Sequence, residues 1–494
     1  MFKRFPFSSY YICVKHRFMK MFLVTLRSIL FLSIFFISVA VNAQAVIKKS
    51  NKKTVKVNAP IGVFDSGTGG LTVLEAMLTL DAFNNETGKP GADGKLDFQS
   101  EFYQYLADQA NMPYGNYAAE NKTDLLKEHI LKNMNFFLQK QYSWQDGKEL
   151  AVFEKPQVKM IVIACNTATA YALADIKTMV KEKGYSIPVI GVIDAGSKAA
   201  LKYQKENTKG TIGVFATAGT VASNGYPKTL NTMAAKFGFD KLSVISQGGV
   251  GLAESIDRDY SFYVDTLTKA RKDYKGPSLK NPLKIDTALM NIYHFNKSYN
   301  QLLCEYDDGG KCLDVQLNDP SNYVRYHLVT LLEKMIAEKY LLPMNTLILG
   351  CTHYPYLKDS IANVLHELYN FQTNGNYRYR KYLAEHIELI DPALETAKDA
   401  YIAMRENNLM NSSSKKGNTF FITVPNAALK EVQLQADGWF TYQYKYGRKA
   451  GENKNYVQFV YFNQQNISAA TYQRFHAVLP HVYGELKKFN SLLP

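Results

Sequence analysis

Continuous apolar runs that each stop at a small or polar residue recur along this chain, at Ile61 to Phe64, Val158 to Ala164, Val189 to Ile193, Thr211 to Phe215, Thr346 to Leu349 and Ile387 to Ile390. Segments with helical periodicity lie between them, among them Leu71 to Leu80, Lys122 to Gln139, Ala168 to Lys183 and Tyr326 to Lys339. Strands without polar alternation are buried on both faces, and intervening helices supply the crossovers, so the pattern predicts an α/β protein with parallel sheets. Sites in such sheets form at the carboxyl ends of strands. Asp65, Cys165, Thr217 and Cys351 stand at such ends.

Two of these ends match. Ile163-Ala164-Cys165-Asn166-Thr167-Ala168 and Leu349-Gly350-Cys351-Thr352-His353-Tyr354-Pro355 each place a thiol after an apolar run, with polar partners directly behind it. Upstream, Ile61-Gly62-Val63-Phe64-Asp65-Ser66-Gly67-Thr68-Gly69-Gly70-Leu71 delivers an acid and a hydroxyl to a glycine turn. Further blocks are Asp108 to Asn116, Ile187 to Val192, Ala216 to Val221 with Ser223 and Tyr226, and Leu389 to Ala393. In this order the blocks resemble the glutamate racemases of the cofactor-independent aspartate/glutamate racemase superfamily, across roughly residues 59 to 430. The glycine turn alone would also imitate a phosphate loop. The two cysteine motifs in series make the resemblance specific.

The resemblance implies two similar parallel-sheet α/β domains with the active site in the cleft between them. Mapped onto this chain it gives a first domain over 59–187, a second over 188–388 with an insertion at about 256–320, a return to the first over 389–430, and a C-terminal extension over 431–494. Shorter insertions are expected at 82–98, 140–156 and 367–386. The aromatic stretches Trp439 to Tyr444 and Tyr456 to Phe462 are expected to form a hairpin ahead of a C-terminal helix. By the same resemblance Cys165 and Cys351 are the proton carriers, Asp65 and His353 tune them, and Glu254 is an assisting carboxylate. The Gln247 to Gly251 flank of Glu254 departs from the family pattern. Substrate contacts fall to Ser66, Tyr114, Gly115, Asn116, Asn166, Thr167, Thr217 and Thr352; Asn116 stands where a small hydroxyl residue is common. No cofactor and no metal are implied, and the partner is a small-molecule amino acid.

The residues themselves suit that chemistry. Inverting an α-carbon needs a base on one face and an acid on the other, because one group would return the proton to the side it left. A free thiol titrates near ~8.5 and is lowered by helix N-termini and donors, so thiol and thiolate can coexist near neutral pH. Both cysteines are expected to lead from strand into helix, where backbone N–H groups favour negative charge. Hydroxyls, amides and backbone N–H groups suit two substrate carboxylates without adding a second base. Each residue also has a plain structural reading: a buried cysteine as a small hydrophobe, Asp65 as a helix cap, Thr217 and Thr220 as turn residues, and Tyr114 as a core aromatic.

The N-terminus reads separately. Lys15, Arg17, Lys20 and Arg27 precede the apolar run Ile29 to Val41, and Val41-Asn42-Ala43 precedes Gln44. This is the form of a secretory signal cleaved after Ala43, leaving a basic linker over 44–58. The run falls short of the ~20 residues that span a bilayer, so no stable span is expected after cleavage; an uncleaved anchor is the competing reading. An exported protein, most simply one of a bacterial periplasm, follows. Residues 1–43 hold six Lys or Arg and no acid, which leaves 52 basic against 44 acidic side chains elsewhere. That mild excess is no nucleic-acid footprint. An oxidising compartment permits a disulfide between Cys304 and Cys312, which flank an Asp-Gly turn. A homodimer is left open. So are a racemase for aspartate or another amino acid, a cysteine hydrolase using Cys351 with His353, and a non-catalytic amino-acid-binding protein.

Overall fold

The structure is a computed structural model that describes residues 53, 55–146, 149–412, 417–452 and 454–493. The expected signal segment 1–43 and most of the linker 44–58 lie outside the described residues. The chain divides into two compact units. In the smaller, Met1–Thr54 with Val180–Ser186, the Lys53 N–H donates to the Gly184 carbonyl at 2.9 Å and the Lys53 ammonium sits 4.9 Å from the Tyr185 ring centre. Everything that follows concerns the larger unit, Val55–Met179 with Ile187–Pro494.

Its strands are β1 Ile61–Asp65, β2 Tyr103–Ala107, β3 Gln141–Asp146, β4 Glu149–Glu154, β5 Met160–Ile163, β6 Val189–Gly191, β7 Thr211–Ala216, β8 Ser243–Gly248, β9 Leu302–Tyr306, β10 Cys312–Leu317, β11 Met344–Gly350, β12 Gln372–Thr373, β13 Asn376–Tyr377, β14 Leu383–Ile390, β15 Thr419–Pro425 and β16 Val457–Tyr461. A six-stranded sheet runs β16-β15-β2-β1-β5-β6 and a four-stranded sheet runs β14-β11-β7-β8. All neighbours are parallel except β15 with β16. The unbroken burial of β1, β5, β7 and β11 explains their apolar runs, since helices cover both faces of a parallel sheet.

Among the described residues the two largest aliphatic and aromatic cores lie against the two sheets, and a further cluster with Ile193, Leu201, Ile212, Val214, Leu230 and Ile348 also packs against the four-stranded sheet. The first packs Ile61, Val63, Leu74 and Val162 against Tyr401, Phe420 and Phe475. The second packs Phe215, Leu347 and Leu349 with Tyr323, Leu328 and Leu332 from the helix Pro320–Ala337. Residues Tyr274, Ile285, Tyr293 and Leu317 of the 256–320 insertion are part of this second core, so the insertion is a fixed layer of its lobe.

Several boundaries differ from the sequence reading. β6 pairs with β5, so the first sheet runs through Gly191, beyond the expected change at 187 to 188. The apolar run Val189 to Ile193 is split: a helix begins at Val192. The C-terminal segment is not an appended hairpin. Its stretch Trp439 to Tyr444 ends in the helix Tyr442–Gly447, while β16 pairs with β15 and extends the first sheet. Two helices, Ala469–Val478 and Pro480–Asn490, then bury Phe475, Leu479, Val482 and Leu486 in the first core. The aromatic content of the tail is thus core material for the lobe that carries β1. Among the described residues no helix is long and apolar enough to cross a membrane.

Candidate active site

The carboxyl ends of β1, β5, β7 and β11 open on one cavity of about 680 Å³. Asp65, Ser66, Cys165, Cys351, His353 and Glu254 line it, and so do Tyr114, Gly115, Asn116, Asn166, Thr167, Thr217 and Thr352. All the expected catalytic and substrate-contact positions are therefore brought together. They come from both sheets: β1 and β5 present Asp65 and Cys165, and β7 and β11 present Thr217 and Cys351.

The two lobes meet here at glycines. A Cβ on Gly69 would stand 2.5 Å from Thr352 Oγ1, and one on Gly219 would stand 3.0 Å from the Gly115 Cα. The turn after β1 and the loop after β11 can approach because no side chain separates them.

Cys165 is buried at the start of the helix Asn166–Glu182. Its sulfur takes an N–H from Ala168 at 3.4 Å and lies 3.5 Å from the Ser66 hydroxyl. Burial and the Asp65 carboxylate push its thiol up to about 12, against the pull of the Ser66 and Ala168 donors. Asp65 accepts from the Gly67 N–H at 3.0 Å. Burial raises its pKa in turn, with the turn's backbone N–H groups and His353 opposing.

Cys351 is equally buried but differently served. No α-helix starts behind it: the chain turns, and a 3-10 turn over Tyr354–Leu357 with Pro355 in its first positions precedes the helix Lys358–Asn370. The expectation of a helix N-terminus fails at this position. His353 takes that place, with Nδ1 3.7 Å from the Cys351 sulfur and 3.4 Å from Thr352 Oγ1. Burial presses the His353 pKa down, but the Cys351 sulfur and the Asp65 and Glu254 carboxylates outweigh it, and the net shift is upward. Glu254, in the short helix Leu252–Ile256, is raised by burial, with His353 among the opposing influences.

The anchoring residues divide into committed and open groups. Tyr114 lines the cavity with its hydroxyl donating at 2.5 Å to Asp108, a buried carboxylate that also accepts from Thr423 and Asn111. Asn166 accepts from the Tyr226 hydroxyl at 2.9 Å, which orients its amide. Thr217 caps the helix Ala218–Ala222 by accepting from the Thr220 N–H at 3.3 Å. Ser66, Thr167 and the helix N-terminus at Asn166 face the cavity as donors for anionic groups, whereas Asn116 lines it with its side chain hydrogen-bonded to Tyr446.

Sequence reasoning missed part of the wall. Asp257 lines the cavity, and so do Trp439, Asn466, Ile467, Ser468, Thr471 and Arg474 of the C-terminal segment. His353 Nε2 lies 3.0 Å from Asp257 Oδ1, and the Arg474 guanidinium pairs with the same oxygen. None of these sits in a motif, so no local signal marks them. Away from the cavity, the structure joins Cys304 and Cys312 in a disulfide with Cα atoms 5.8 Å apart, at one end of the β9–β10 hairpin. Cys165 and Cys351 are free thiols. Among the described residues no group of three or more His, Cys, Asp or Glu is gathered to hold a metal ion.

Comparison with known proteins agrees with the motifs. A glutamate racemase of Levilactobacillus brevis is 27% identical over 366 residues, 74% of this chain and 86% of the relative. A glutamate racemase of Lysinibacillus sphaericus is 30% identical over 239 residues, 48% of this chain and 70% of the relative. Among solved structures, glutamate racemase isoform RacE1 from Bacillus anthracis aligns at 24% identity with a TM-score of 0.43, over 74% of this chain and 89% of that one. No protein-family profile matches the chain. With that identity and coverage to curated relatives, the chain belongs to the glutamate racemase family, isomerases that act on an amino acid.

Proposed function

We propose that this racemase interconverts L- and D-glutamate without a cofactor, with Cys165 and Cys351 as the two proton carriers, and that it works outside the cytoplasm. The observation that carries the reading is the convergence of both thiols, each with its own auxiliary group, on one cavity.

The asymmetry of the two thiols suggests the resting protonation. Cys165 keeps its proton, because burial and Asp65 both disfavour its anion. His353, its Nδ1 3.7 Å from the Cys351 sulfur and its pKa raised by that sulfur and the nearby carboxylates, stands where it can take and return a proton beside Cys351. An L-amino acid then gives its α-proton to the Cys351 sulfur while the Cys165 thiol delivers its own proton to the opposite face. The proton count of the pair is unchanged and its distribution is reversed. The D isomer meets the reversed state. Backbone and hydroxyl donors from Ser66, Thr167 and the Asn166 helix N-terminus, all lining the cavity, would hold the substrate carboxylates through the carbanion-like transition state.

Export rests on the charged, apolar and small-residue leader, and the joined Cys304 and Cys312 fit an oxidising compartment. A cysteine hydrolase would employ Cys351, His353 and Asp257 but leave Cys165 and Asp65 idle.

Chiral analysis of an amino-acid panel incubated with the mature protein is the test. Glutamate is expected to racemise fastest. In heavy water, the early product should carry deuterium while unreacted substrate keeps protium, which a single base cannot achieve. Racemisation of aspartate or another amino acid in preference would replace the substrate assignment, and equal early exchange into both pools would refute two carriers.

A further inference from the structure

The C-terminal segment reaches the reacting groups. The helix Ala469–Val478 is capped by Ser468, whose hydroxyl accepts from the Thr471 N–H at 3.1 Å, and it is anchored in the first lobe through Tyr472, Phe475 and Leu479. With those residues turned into the core, Arg474 is presented to the cavity. Its partner Asp257 belongs to the other lobe, at the C-cap of the helix Leu252–Ile256 that follows β8. Asp257 is also the partner of His353 Nε2 at 3.0 Å. The neighbouring cation, Arg258, is taken by Asp265 at 2.8 Å. A continuous line therefore runs from the Cys351 sulfur through the two nitrogens of His353 to Asp257 and on to Arg474.

The same segment also holds the loop at Met112 and Pro113, which lines the cavity. Lys445 donates to the Met112 carbonyl at 2.6 Å, and Arg448 donates to Asn111 at 3.1 Å while stacked among Phe440, Tyr444 and Tyr456. These bonds brace the loop that leads into Tyr114, Gly115 and Asn116.

We propose that the C-terminal segment is a structural wall of the active site and that Arg474 is a positioning residue, acting through Asp257 to hold His353 with Nε2–H toward Asp257 and Nδ1 toward Cys351. This rests on the reading of Cys351 as a proton carrier. The reasoning is that of any histidine whose reactive nitrogen is set by the hydrogen bond of the other. Asp257 alone would be a half-exposed carboxylate free to turn to water; the guanidinium, itself largely buried, fixes it. The pair also joins the two lobes, so His353 is correctly held only when they are together.

The groups facing His353 are Cys351 on its own loop, Asp65 from β1, Glu254 and Asp257 from the helix after β8, and Arg474 through Asp257. Deleting Asp257 removes an anion that favours imidazolium, so His353 should lose its proton at lower pH and the Cys351 sulfur should lose the cation beside it. Deleting Arg474 takes away a cation, but the freed Asp257 turns to water and away from Nε2, and the loss of that contact outweighs the relieved repulsion, with a smaller effect of the same sign.

The experiment uses the mature protein with Arg474→Met, Arg474→Lys and Asp257→Asn, each checked for an unchanged circular dichroism spectrum. The first readout is the pH profile of iodoacetamide labelling at Cys351 and at Cys165, resolved by peptide mass, with no substrate present. Asp257→Asn and Arg474→Met are expected to shift the Cys351 profile to higher pH and leave that of Cys165 in place, with Arg474→Lys between them and wild type. The second readout is kinetic. kcat/KM should fall about 10²-fold in Asp257→Asn and about tenfold in Arg474→Met, equally in both directions because enantiomers are equal in free energy. Unchanged labelling at Cys351 in both Asp257→Asn and Arg474→Met overturns the proposal, as does an equal shift at both cysteines. Because labelling needs no turnover, it decides the matter even if glutamate proves not to be the substrate.

Discussion

The surroundings of Cys165 and Cys351 look alike in sequence and differ in kind. Cys165 sits at a true helix N-terminus, in the first lobe, beside a buried carboxylate that opposes its ionisation. Cys351 has no such helix and instead has an imidazole, backed by a carboxylate of its own lobe and a guanidinium from the other. On the proposed mechanism one half site keeps its thiol and the other shares a proton. A racemase needs that difference, since two thiolates or two thiols in one cavity could not pass a proton across a carbon. Dielectric and neighbouring charge, rather than the cysteines themselves, assign the roles.

Removing either sulfur tests the comparison most strongly. Cys165→Ala and Cys351→Ala are each expected to lower kcat/KM by about 10³-fold or more, the scale of losing a general acid or base outright, with thermal melting little changed. Chiral chromatography of both reaction directions measures this. Near-normal turnover in either variant would falsify the two-carrier reading.

Asp65→Asn separates the half sites. The Asp65 carboxylate is one of the groups pushing the Cys165 thiol upward, so its neutralisation should bring that pKa down and speed alkylation of Cys165 near pH 8, with Cys351 following its wild-type profile. Activity should drop by about 10²-fold. Slower labelling at Cys165 would mean that Asp65 activates the thiol and would reverse the assignment of resting states.

The smallest effect lies outside the comparison and serves as its control. Cys304→Ser with Cys312→Ser should leave turnover unchanged, because that hairpin packs in the second lobe away from the cavity. The loss of stability should be at most ~2 to 3 kcal/mol, as for a short closed loop. Peptide mapping of the unreduced protein and a thermal melt check both statements; free thiols at 304 and 312, or a bond between Cys165 and Cys351, would contradict them.

Much of the site was legible because its residues are held by local devices. A strand end followed by a glycine turn presents Asp65 and Ser66, a strand end followed by a helix presents Cys165, and both are written within a dozen residues. Continuous apolar runs announced β1, β5, β7 and β11. They missed β2, Tyr103-Gln104-Tyr105-Leu106-Ala107, and β8, Ser243 to Gly248, whose polar residues break the run although both strands pair in the sheets. The tail misled for a related reason. Aromatic residues at Trp439 to Tyr444 carry high strand propensity, but propensity yields to packing, and there the chain turns into a helix over Asn111 and Met112.

By itself the sequence determined the α/β class, the two thiols and the acid, hydroxyl and imidazole set beside them, because each depends on neighbours close in the chain. Only the tertiary structure decided that Tyr114 spends its hydroxyl on Asp108, that Cys351 lacks a helix behind it, and that Arg474, 123 residues beyond Cys351, ends the line of contacts that starts at its sulfur. Those facts depend on contacts between segments remote in sequence. A guanidinium meets a carboxylate there because β16 and the helices after it join the first sheet, and no periodicity within the tail records where that sheet ends.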